Sequence, residues 1–184
     1  YNEQHPRPEG GDVFERKLNR WLADASDQQL AALPSDERNR IVTNAWQIIV
    51  GIDDSVPPAE QVAATNGVVT ILVKSDPKPP EQTAGVSNPR QIPAYTHGYN
   101  HSYFATQARA VYARIAAAKQ AGHKVDIIAD SGAEAVALAA CAASDKGSVE
   151  SLTIADDQFR FAEVTDWRDP DFVPGAIKYG DLPR

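Results

Sequence analysis

Apolar residues in this chain follow two periods, and the change from one to the other sets the expected order of elements. Near the start, Phe14, Leu18, Trp21, Leu22 and Ala25 recur at helical spacing. Asp12, with Glu15 three residues on, has the form of a capping box. The spacing predicts an amphipathic helix over 13–25, followed by a short link. Pro34 and Ser35 open a second helix with Ile41, Val42, Ala45, Trp46 and Ile49 on one face and Gly51 as its stop. From residue 67 the period changes. Gly67 to Lys74 is a β-branched apolar run, expected as a central strand; Val125 to Ala129 and Val149 to Ala155 read as two more. Between the first two, Phe104, Ala108, Val111, Tyr112 and Ile115 mark the buried stripe of a helix that runs to about Gln120 and is closed by Gly122. From Gly132 the chain is rich in Ala and Leu through Ala143, which predicts another helix.

Strands alternating with helices predict the α/β class, with a parallel-type sheet, flanking helices and an α-helical N-terminal extension. Residues 1–66 form the extension and its Pro-containing linker, and 67–184 the α/β domain. Ser75 to Ala94 carries five prolines and no period, an irregular loop of a length that is usually functional or disordered. There are no internal repeats. Three strands leave sheet edges bare, so another chain or segment is expected to cover at least one of them.

Ligand sites in parallel sheets lie beyond the carboxyl ends of the strands. Connectivity alone assigns Ser131 and the pair Asp156 and Asp157 to that edge, and brings His97 and Tyr99, in the loop entering a crossover helix, toward it. Only Asp130 and Ser131 separate the second strand from the Ala-rich helix. So sharp a passage lifts the Ser131 hydroxyl clear of the sheet, as a nucleophile elbow requires, and points backbone N–H groups at a developing oxyanion. Ala129 and Ala133 stand where the usual Gly-x-Ser-x-Gly pattern has glycine, which crowds the turn. The competing reading is an ordinary strand-to-helix turn with Asp130 or Ser131 as N-cap.

Composition narrows the partners. A net charge of −7 without a basic stripe argues against nucleic acid or anionic lipid, and no apolar run approaches the roughly 20 residues of a membrane span. The single Cys141 reads as a small buried hydrophobe, with no disulfide. His97 and His101 have the spacing of a zinc pair but lack the intervening Glu, and Asp166, Asp169 and Asp171 match no EF-hand loop. No dinucleotide motif follows a strand, so neither metal nor cofactor is expected. The aromatic residues of the last stretch, Phe159 and Phe161 among them, are expected to anchor loops onto the sheet. The chain opens on Tyr1, contains no Met and stops at Leu182-Pro183-Arg184. A processed or truncated start, a removed signal peptide and a secreted or periplasmic location are the corresponding expectations, and the chain reads as a piece of a longer one.

Tyr95-Thr96-His97-Gly98-Tyr99-Asn100, Val125 to Ala143, Phe159-Arg160-Phe161-Ala162 and Phe172-Val173-Pro174-Gly175-Ala176-Ile177-Lys178-Tyr179-Gly180-Asp181-Leu182-Pro183 together resemble α/β-hydrolases of the acetyl-xylan-esterase type, large secreted hydrolases found in planctomycete-like bacteria. The resemblance covers about residues 95–183. It implies a serine ester hydrolase acting on carbohydrate or carboxylic esters, with Ser131 as nucleophile and the Gly132 N–H in the oxyanion hole. It also implies that many relatives carry another residue at the nucleophile position. The expected order is Ser, then Asp or Glu, then His. Asp156 and Asp157 follow Ser131 as candidate acids, yet His5, His97, His101 and His123 all precede it. Three arrangements meet that difficulty: a base on a segment or chain not included here, a catalytically inactive structural or binding subunit of a larger assembly, or His97 or His101 acting out of the usual order.

Overall fold

The structure is a computed structural model, and it describes residues 24–52, 63–75, 102–155, 159–164, 173 and 176. Its elements are α1 (Ser35–Val50), β1 (Val68–Val73), α2 (Tyr103–Gln120), β2 (Lys124–Ala129), α3 (Glu134–Ala143), β3 (Ser151–Ile154) and a 3₁₀ turn over Phe161–Glu163. The three strands form a parallel sheet in the order β1-β2-β3, with Val68 opposite Lys124 and Asp126 opposite Ser151. The chain is therefore of mixed α/β class.

Each crossover helix packs on its neighbour and on β1 and β2, so α2 and α3 share one face of the sheet. The strands alternate accordingly. Val69, Ile71, Val73, Val125, Ile127 and Ala129 are buried under the helices, and Leu152 and Ile154 of β3 are half-buried against the same core. Helix α2 starts where the Ser102 hydroxyl accepts the Ala105 N–H at 3.0 Å, and it buries Phe104, Ala108, Val111 and Ile115. Helix α1 ends on Gly51 in the left-handed conformation and packs against α3 and α2. Trp46 on α1 is fully buried, 5.6 Å from the ring of Phe161, which in turn meets Phe104 edge-on at 5.2 Å. Burial of each such ring is worth roughly 1.5–3 kcal/mol. This aromatic cluster ties α1, α2 and the segment after β3 together.

Five expectations change. β1 is not central: β2 is the middle strand among those described, and Leu72 of β1 is 54 % exposed. The link expected after residue 25 is helical through 24–31. Val149 lies before β3, so the third strand is shorter than its apolar run. Helix α3 begins at Glu134 rather than Gly132, because Gly132 sits at φ +87°, outside the helical region. Its N-cap is Ala133, without a side-chain cap bond, so neither Asp130 nor Ser131 caps the helix. The 13–23 part of the first helix and its capping box lie outside the described residues.

Candidate functional site

The candidate site forms where β2 leaves the sheet. The Asp130 N–H donates to the Val73 carbonyl at 3.0 Å, extending the parallel ladder one step past the strand. The chain then reverses within four residues: the Ala133 N–H donates to the Asp130 carbonyl at 3.0 Å, and Gly132 takes the positive φ that closes the turn. Ser131 and Gly132 are exposed at its apex. Ser75, just past the end of β1, stands against the same turn. A Cβ on Gly132 would meet the Ser75 Oγ at 3.1 Å. Two strand ends and one helix start thus converge on Ser131, at the carboxyl edge of the sheet where ligand sites of parallel folds occur.

Sequence reasoning missed Glu134. Its side chain is only 5 % exposed, and its Oε2 accepts the Gly132 N–H at 2.6 Å. The geometry suits the charge, since a carboxylate at a helix N-terminus lies at the positive end of the helix dipole. Its second oxygen, Oε1, is buried and has no hydrogen-bond partner among the described residues. The donor expected to face an oxyanion is therefore already engaged by an acid of the same chain. Glu134 reads in the sequence as an ordinary first-turn acid; burial and the backward reach to residue 132 exist only once the turn is folded.

The other expected residues divide cleanly. His97, Tyr99, His101, Asp156 and Asp157 lie outside the described residues, as do Asp166, Asp169 and Asp171. His123 is described, but it precedes β2, whereas Ser131 follows it. A six-residue strand separates them by roughly 20 Å at about 3.3 Å per residue. His123 is not a base for Ser131 in this fold. Cys141 is a free thiol on α3 that burial pushes up to about 12, which leaves it protonated and without nucleophilic character at neutral pH. Phe161 is buried against Trp46 and Phe104 and meets Phe159 edge-on at 5.0 Å, so the ring contacts of this segment are to helices α1 and α2, where the expectation was the sheet. Among the described residues no three His, Cys, Asp or Glu side chains gather as a metal site, and no helix is long and apolar enough to cross a membrane.

No protein-family model, no curated protein and no solved structure matches the chain.

Proposed function

We propose that the chain is a serine ester hydrolase of the α/β-hydrolase type, acting on a carbohydrate or carboxylic ester, with Ser131 as nucleophile. The observation that carries this reading is the exposed Ser131 on a four-residue turn between a parallel strand and a helix, at the carboxyl edge of the sheet. The Ser131 Oγ attacks the ester carbonyl carbon and forms the acyl bond. Its proton passes to a base and then to the departing alcohol; water reverses the sequence to free the acid. The base is a histidine outside the described residues, either His97 or His101 or one on an accompanying segment or chain, oriented by Asp156 or Asp157. Hydrolysis of p-nitrophenyl acetate by the intact protein tests the reading. Activity that Ser131→Ala lowers by about 10³-fold or more is the expected result. Equal rates for the two proteins would assign the turnover to something else.

A second reading, a catalytically inactive binding or assembly subunit on the same fold, is favoured by one observation. The N–H needed to hold an oxyanion is occupied by Glu134. No turnover by the intact protein, with its partner segments present, is what that reading expects.

A further inference from the structure

We propose that Glu134 is an autoinhibitory latch on the Ser131 turn, holding the Gly132 N–H closed until a ligand displaces it; this rests on the hydrolase reading above. Three features carry it. The Gly132 N–H donates to Glu134 Oε2 at 2.6 Å, so the turn's donor is engaged by a carboxylate oxygen. Gly132 follows Ser131, so its N–H is the donor an oxyanion on an acylating Ser131 would use. The latch is also only half satisfied. Glu134 Oε1 is buried without a partner among the described residues, and a buried acceptor left unpaired is costly to hold.

The latched turn opposes acyl transfer in two ways. The donor is consumed, and the carboxylate places negative charge where the attack on the ester would create more. Release turns the same N–H toward the substrate oxygen. Release is accessible because moving Glu134 outward hydrates the orphaned Oε1, which offsets the lost bond to Gly132. Ser75, at the rim of the turn, bounds the space on the β1 side.

The test uses the full protein and a fluorophosphonate. Ser131 Oγ forms the P–O bond, fluoride leaves, and the hydroxyl proton goes to the base. Glu134→Ala removes the acceptor and its charge together and so frees the Gly132 N–H. The latch predicts that Glu134→Ala labels Ser131 at least tenfold faster than the unmodified protein, toward the roughly 10²–10³-fold that a single oxyanion donor supplies. Labelling of both proteins at the same rate would overturn the latch and leave the hydrolase reading standing. Labelling of neither would overturn both. A measurement on the unmodified protein needs no variant: the Gly132 amide proton should resonate downfield and exchange slowly. A fast-exchanging Gly132 amide at a random-coil shift would also overturn the latch.

Discussion

At Gly132 a single backbone angle decides the shape of the candidate site. With φ at +87° and the Ser75 Oγ 3.1 Å from where a Cβ would stand, Gly132→Ala meets both backbone strain and a crowded neighbour. A loss of about 1–3 kcal/mol in urea unfolding is expected, since a left-handed L-residue alone costs about 1–2 kcal/mol. An unchanged midpoint would mean that the turn is not held as described. Cys141 gives a pH signature at the same scale. Its folded pKa of about 12 lies above the ordinary 9.0, so above pH 9 the unfolded chain loses the thiol proton while the folded chain keeps it. The contribution of this thiol to stability should therefore be level below about pH 9 and fall as pH rises from there toward 12. Cys141→Ala should flatten that slope in melts taken across the range. The serine and its turn were legible in the sequence because a β-branched run meets an Ala-rich run across two residues. The Glu134 contact was not legible, because a carboxylate in a first helical turn is commonplace and nothing local marks it as buried.

At the level of elements, alternation along β1 and β2 yields opposite consequences for neighbouring residues. Ile71 and Ile127 lie fully buried under α2 and α3, whereas Leu72 and Ile128, opposite each other in register, are 54 % and 40 % exposed. Ile127→Ala should cost about 2–5 kcal/mol, and Ile128→Thr less than about 1 kcal/mol, both read from denaturant midpoints. Similar costs at the two positions would contradict the one-sided packing. α2 was readable almost to the residue, since Ser102 caps it and Phe104, Ala108, Val111 and Ile115 repeat at its period. The place of β1 in the sheet was not. Hydrophobicity alone does not distinguish a middle strand from an outer one, and Leu72 counts as apolar in the sequence whether or not anything covers it.

For the whole molecule, the described residues form a half-clad structure: helices cover one face of a parallel sheet, and Thr70, Leu72, Ile128 and Thr153 remain exposed on the other. Parallel sheets are ordinarily covered on both faces, so the open face and the outer strands β1 and β3 mark where further structure would belong. The alternating order of strands and helices made the class legible; long-range closure depends on segments whose pattern is irregular. α1 docks through Trp46, which meets Phe161 across more than a hundred residues of chain. Trp46→Ala should lower stability by about 3–5 kcal/mol in chemical unfolding, with a smaller loss speaking against a shared core. The central claim, that this architecture displays Ser131 as a nucleophile, is tested most directly by mapping the fluorophosphonate adduct in the intact protein by peptide mass spectrometry. The account predicts one adduct, on the peptide that contains Ser131. Adduct on another residue, with the Ser131 peptide unmodified after prolonged exposure, would contradict it.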